Sequence, residues 1–277
     1  MDLLYTGKDV RKATARQSGQ ISVGLVPTMG ALHAGHLELV RTARAENDLV
    51  VCSIFVNPTQ FNNPDDLTAY PRTLEADCKL LESAGCDIAF APSVSEMYPA
   101  PLDLRIDFGD LETVMEGAFR PGHFNGVGVV VSKLFNIVQP DRAYFGQKDL
   151  QQTVIIKSLV RNLSYPIELR ICPTVRETDG LALSSRNIRL SPEERAIAPE
   201  IFRILTRCKN ALLSGAGVAE ALEQAKAEFR NQPAFRLEYI ELVDADTLKP
   251  IQETGSANAL CVAAHLGNVR LIDNILF

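Results

Sequence analysis

Residues 48–56, Asp-Leu-Val-Val-Cys-Ser-Ile-Phe-Val, form a nearly continuous apolar run of strand length. An apolar stretch without alternation suits a strand covered on both faces, the situation inside a parallel sheet flanked by helices. The surrounding chain must then supply helices for both faces, and its pattern does so. Residues 21–26, with β-branched Ile21, Val23 and Val26, read as a strand, ended by Pro27, which cannot supply the next ladder hydrogen bond. Leu37 to Glu46 reads as a helix. Pro71 to Ala84 carries Leu74, Cys78 and Leu81 at helical spacing, with Gly85 as its stop.

The alternation continues along the chain. Asp87–Phe90 and Leu104–Phe108 read as short strands, and Asp110–Ala118 and Gly126–Val138 as helices. Arg142–Phe145 is a strand delivering Gly146-Gln147-Lys148-Asp149; a helix runs from there to about Arg161, and Ile167–Cys172 is the next strand. Ahead of them all, Lys8 to Gln17 reads as a short polar helix closed by Ser18-Gly19. Strands alternating with helices define an α/β chain with a Rossmann-like, doubly wound parallel sheet. After Glu177-Thr178-Asp179-Gly180 the order changes. Helices over Pro192–Leu213 and Val218–Arg230 precede strands over Leu237–Val243, Ala259–Ala264 and Val269–Ile275. This predicts a smaller C-terminal α+β domain, giving domains 1–176 and 177–277.

Composition narrows the function. With 28 basic against 34 acidic residues the net charge is −6, which argues against nucleic acid as the main partner. Six scattered cysteines without a CxxC pair suit buried thiols in a reducing compartment. No basic-then-apolar leader and no apolar run of membrane-spanning length is present, so a cytoplasmic protein with no membrane partner is expected.

The chemistry concentrates where the first central strand hands over to a helix. Met29-Gly30-Ala31-Leu32-His33-Ala34-Gly35-His36 places two histidines at a helix N-terminus. Unpaired backbone N–H groups there would welcome an anion, and imidazoles add donors. A zinc reading of His33 and His36 lacks a third ligand at suitable spacing. Gly7-Lys8 lacks the upstream glycine of a phosphate loop, and Gly126-Val127-Gly128 lacks the third glycine of a dinucleotide fingerprint. There is no GxSxG elbow and no Cys beside a His in sequence, so no covalent enzyme intermediate is implied.

His33-Ala34-Gly35-His36 fits the HxGH pattern of the nucleotidylyltransferase superfamily, which binds ATP and reacts at its α-phosphate. Five further blocks follow in order: Phe55–Phe61, Tyr70–Thr73, Arg120–Phe124, Gly146–Asp149 and Leu183–Asn187. Together they resemble the pantoate–β-alanine ligases over nearly the whole chain. The resemblance implies ATP-dependent condensation of pantoate with β-alanine through an acyl adenylate, with Mg2+ accompanying ATP and a homodimer as the usual assembly. It implies an ATP site built from Met29 to His36, Gly146, Gln147, Lys148, Asp149, Val175, Leu183, Ser184, Ser185 and Arg186. His36 would be the proton donor, with His33 and Lys148 assisting at the phosphates and Asp149 a ribose or magnesium-linked acceptor. Leu183–Arg186 departs from the superfamily's KMSKS pattern, carrying Leu and Arg where Met and Lys stand. Gln60 and Gln152 match the pantoate-binding glutamines, and Gln60 would also touch β-alanine; Asn57 is a weaker candidate. Asp77 and Glu116 are acidic neighbours left out of any metal set. His123 would shape the cleft wall, and His265 reads as structural. The competing enzyme reading is another HxGH adenylyltransferase, against which Gln60, Gln152 and the Arg-Pro-Gly-His-Phe block speak.

Overall fold

The computed structural model describes residues 1–15 and 21–277. Two compact units emerge, one of residues 1–146 and 155–172, the other of residues 147–154 and 173–277.

The first unit is built on six parallel strands: β1 (Asp2–Leu4), β2 (Val23–Thr28), β3 (Leu49–Ile54), β4 (Ile88–Phe90), β5 (Arg142–Gly146) and β6 (Glu168–Cys172). Their order in the sheet is β1-β4-β3-β2-β5-β6. Side chains alternate between the faces as strand pleating requires. Val51, Leu25, Phe90 and Phe145 enter one apolar layer with Val127, Val131 and Phe135 of the helix His123–Val138. Val50, Cys52, Val26 and Tyr144 enter the other with Val40 and Ala43 of the helix Ala34–Glu46 and Leu81 of the helix Leu74–Ser83. Coverage on both sides is why β3 lacks alternation in sequence. Burial also pushes the Cys52 and Cys86 thiols up, the latter to about 12.

Strand order reverses at β2, with β3 on one side and β5 on the other. The β2–β5 ladder pairs only Gly24 with Arg142 and Leu25 with Ala143, whereas β2 stays paired with β3 to Thr28. The two strands therefore part at their carboxyl ends, which opens the crevice where ligands bind in doubly wound sheets. The same geometry explains why β2 continues through Pro27, which has no β5 ladder to interrupt.

Several local expectations need correction. Leu104–Phe108 is not a strand. Ile106 and Phe108 pack on the core, but the Ile106 N–H donates to Asn125 Oδ1 instead of to a sheet neighbour. The helix expected over Asp110–Ala118 is two short pieces, Gly109–Glu112 and Met115–Phe119, because Val114 is extended and Met115 adopts φ of 42°. The helix expected from Pro71 begins at Leu74, and the one expected from Gly126 begins at His123. The helix Gly7–Thr14 covers the start of the one expected over Lys8–Gln17; Gln17, Ser18 and Gly19 lie outside the described residues.

The second unit holds three antiparallel strands, β7 (Phe235–Asp244), β8 (Asn258–Leu266) and β9 (Val269–Leu276), ordered β7-β8-β9. The helices Glu200–Leu213 and Val218–Arg230 bury Ile204, Leu205, Ala225 and Phe229 against Leu242, Val262 and Leu271 of the sheet. The single helix expected over Pro192–Leu213 is interrupted at Pro199, which follows the helix Pro192–Ile197. Among the described residues no helix is long and apolar enough to cross a membrane.

Candidate active site

The chain leaves β2 at the strand-order reversal and turns through Gly30 and Ala31, whose φ values are 83° and 51°. Glycine is required at the first of these, because a Cβ there would sit 3.1 Å from both Asp77 Oδ2 and Ile54 Cγ2. Asp77 holds the turn. Its carboxylate accepts the Ala31 N–H at 3.0 Å and the Leu32 N–H at 2.8 Å, with the Thr73 hydroxyl at 3.1 Å. In sequence Asp77 reads only as an acidic residue on a helix face. Its 1% exposure shows instead a buried carboxylate committed to two loop amides.

The turn delivers His33 as the cap of the helix Ala34–Glu46. His33 Nδ1 accepts the Gly35 N–H at 3.2 Å, and His36 Nδ1 accepts the His33 N–H at 3.3 Å. The two rings stand 4.0 Å apart, centre to centre. An imidazole that accepts at Nδ1 carries its proton at Nε2 when neutral. This reciprocal cap corrects the expectation of unpaired amides awaiting an anion. The Gly35 N–H is taken by His33 Nδ1, and the His36 N–H donates to the His33 carbonyl at 2.9 Å. The donor capacity of this helix end therefore rests on imidazole N–H groups rather than on those backbone amides.

The loop after β3 supplies Asn57 and the 3-10 turn Pro58–Gln60. Asn57 is fully inside, accepting the Tyr98 hydroxyl at 2.8 Å and donating to Gln60 Oε1 at 3.0 Å and the Gly126 carbonyl at 3.2 Å. With Oε1 so engaged, Gln60 turns Nε2 to the Met29 sulfur at 3.2 Å, a weak acceptor. Two hydrogen bonds hold the Gln60 carbonyl, from His123 Nδ1 at 2.8 Å and Arg120 Nη2 at 3.3 Å. The helix His123–Val138 approaches this turn so closely that a Cβ on Gly126 would collide with the Thr59 carbonyl. The first unit thus gathers Met29, His33, His36 and Gln60 around the carboxyl ends of β2 and β3. His123, expected at the cleft wall, is a backbone anchor for Gln60.

In the second unit Gln147–Asp149 forms a 3-10 turn leading into the helix Leu150–Asn162, where Gln152 is half-buried. Lys148 Nζ lies 3.6 Å from Asp149 Oδ1, and Asp149 is half-exposed. Val175 anchors the other candidate segment by accepting the Leu183 N–H at 3.0 Å, closing a narrow hairpin around Arg176 and Ala182. Ser184 and Arg186 follow in a turn where Ser184 Oγ accepts the Arg186 N–H at 3.3 Å. Arg176, unnoticed in sequence, grips Asp273 of β9 through two hydrogen bonds of 2.6 and 2.9 Å and stacks on Phe202. Burial pushes the Asp273 carboxyl up against that pull. His265 lies on β8 with Nε2 3.5 Å from Glu238. Among the described residues no group of three or more His, Cys, Asp or Glu side chains could hold a metal ion.

Comparison with known proteins agrees over the whole chain. The family model described as pantoate-beta-alanine ligase matches residues 2–276. A pantothenate synthetase of Bacteroides thetaiotaomicron is 51% identical over 280 residues, covering all of this chain and 99% of its own length. The crystal structure of pantothenate synthetase from Thermus thermophilus superposes with a TM-score of 0.95 at 47% identity, covering 99% of each chain. A Francisella tularensis pantoate-beta-alanine ligase, crystallised with beta-gamma ATP and β-alanine, superposes with a TM-score of 0.84 at 38% identity over all of this chain and 97% of that one. The chain belongs to the pantoate–β-alanine ligase family, and is a ligase that makes pantothenate from pantoate, β-alanine and ATP.

Proposed function

We propose that this ligase works in two steps through a pantoyl adenylate, with the capped histidine pair as its first reaction centre. In the first step a pantoate carboxylate oxygen attacks the α-phosphorus of ATP and pyrophosphate leaves. In the second the β-alanine amine attacks the acyl carbon, loses a proton, and AMP departs with the former carboxylate oxygen. The observation that carries this reading is the reciprocal His33–His36 cap at the strand-order reversal. With both Nδ1 atoms accepting backbone N–H groups, Nε2 of each ring is the donor that this reading assigns to the oxygens of the departing phosphates. His36 is assigned the Nε2–H hydrogen bond to the departing pyrophosphate, and His33 shares the phosphate oxygens.

ATP contacts are assigned to Met29 through His36 and to Gly146, Gln147, Lys148, Asp149, Val175, Leu183, Ser184, Ser185 and Arg186. Lys148 and Arg186 supply cationic donors for phosphoryl oxygens, and the serines supply hydroxyls. Gln60, its amide orientation fixed by Asn57, presents Nε2–H to pantoate and then to β-alanine; Gln152 is the second pantoate contact. A neutral amide grips carboxylate and hydroxyl oxygens without the charge pairing that would blunt a carboxylate nucleophile.

Magnesium would come as a companion of ATP: Asp77 is committed to backbone amides, so Asp149, next to Lys148 in sequence, is the protein acceptor that would help to hold it beside the phosphates and water. The ion supplies charge neutralisation at the leaving phosphates. We further propose a cytoplasmic homodimer, on the family resemblance.

A coupled assay for pyrophosphate and AMP, run with Mg-ATP and pantoate and with β-alanine added or omitted, tests the sequence of steps. Pyrophosphate formed from ATP and pantoate alone, with AMP following β-alanine, is the expected result. Pyrophosphate that appears only when β-alanine is present would contradict it.

A further inference from the structure

The Gln147–Lys148 turn shares three hydrogen bonds with a single buried residue of β9. Asn274 Nδ2 donates to the Gln147 carbonyl at 3.0 Å and to the Lys148 carbonyl at 2.9 Å, and Asn274 Oδ1 accepts from Gln147 Nε2 at 3.2 Å. Bonding two successive carbonyls from one atom requires two protons on that atom. An amide provides them; a carboxylate or hydroxyl of similar size does not. Asn274 is 3% exposed, so these partners are not exchanged for water.

Asn274 is itself held. Its N–H donates to Asp273 Oδ1 at 2.8 Å, its carbonyl accepts from Arg176 Nη2 at 3.2 Å, and Arg176 grips Asp273 through both guanidinium nitrogens. Lys148 lies near enough to Asp273 to help stabilise its carboxylate, which Arg176 already pairs, and the Lys148 ammonium stands 3.6 Å from the Asp149 carboxylate.

We infer that Asn274 is a positioning residue of the ligase reaction, fixing the backbone from which Lys148 reaches ATP. The inference rests on the assignment of Lys148 to the phosphates. A residue far from the reacting atoms can matter this much, since small misplacements of a positioned group cost about a hundred-fold in rate.

The test is a double-mutant cycle in pantoate-dependent ATP–pyrophosphate exchange, using full-length wild type, Asn274→Ala, Lys148→Ala and the double variant, each checked for folding by thermal unfolding. Asn274→Ala is expected to lower kcat/KM for ATP by about ten- to a hundred-fold while the pantoate KM is unchanged. The double variant is expected to match Lys148→Ala alone, because a residue acting through Lys148 has nothing left to position. If Asn274→Ala does not fold, Asn274→Ser, which reaches one carbonyl at most, is expected to show the same ATP-specific loss in smaller degree. A normal ATP kcat/KM in the folded variant, a pantoate KM raised as much as the ATP kcat/KM falls, or losses that multiply in the double variant would each overturn the inference while leaving Lys148 in place. Near-normal turnover by Lys148→Ala would remove the phosphate assignment itself, and this inference with it.

Discussion

His36 and Asp77 are both buried or half-buried polar residues around one loop, yet they stand in different relations to the reaction. His36 accepts a cap hydrogen bond of 3.3 Å at the start of its own helix, so His36→Ala should lower stability by only about 1 kcal/mol. Its exchange activity should fall by about a hundred-fold or more if imidazole N–H donation supports the departing phosphates. Asp77→Ala orphans the Leu32 amide, which is buried, and the Ala31 amide, which is part-buried, and each buried unsatisfied donor costs about 1–3 kcal/mol. Urea unfolding of the two variants beside the exchange assay should therefore show a stable, inactive His36 variant and a destabilised Asp77 variant. The reverse pattern would exchange their roles. His33 and His36 were legible because HxGH is read in one short window. Asp77 was not, because its partners lie 45 and 46 residues away and nothing in a helical Glu-Ala-Asp sequence distinguishes a buried acid from a solvated one.

At the scale of elements, β5 is tied to the helix Ala34–Glu46 through Tyr144, which is wholly buried at the sheet. Its hydroxyl donates to Glu46 Oε2 at 2.8 Å and accepts from Asn47 Nδ2 at 2.6 Å. Burial and the neighbouring Glu46 carboxylate push the phenol up to about 12. An acid whose folded value is raised contributes stability that is complete below its unfolded value, about 10. That contribution is lost as pH rises from there to about 12. Tyr144→Phe should remove this part of the alkaline destabilisation, so urea unfolding at pH 9 and pH 11 should show a smaller difference than in wild type. An equal or larger difference would place the titration elsewhere. The long elements were legible from apolar periodicity, as with Val218–Arg230, while short ones were not. β1 has three residues and only a sheet edge to stabilise it, and Leu104–Phe108 carries a strand-like pattern without a strand beside it. Asn274 follows Asp273 in β9, and only the tertiary pairing with Gln147 and Lys148 reveals its use.

For the whole molecule, the parallel sheet and the three-stranded sheet followed from sequence because element order dictates layer architecture. Unit membership did not follow, since residues 147–154 group with the C-terminal unit although they directly continue β5. No single-sequence pattern marks a helix whose first turn belongs to a different compact body from its remainder. If pantoate is activated on its carboxylate before the amide forms, one carboxylate oxygen leaves with AMP, and isotope labelling follows that atom. Pantoate carrying oxygen-18 in both carboxylate positions would be turned over with Mg-ATP and β-alanine, and the AMP examined by mass spectrometry. The two-step route predicts AMP containing one labelled oxygen, left behind when the amine displaces the adenylate. Unlabelled AMP would contradict it.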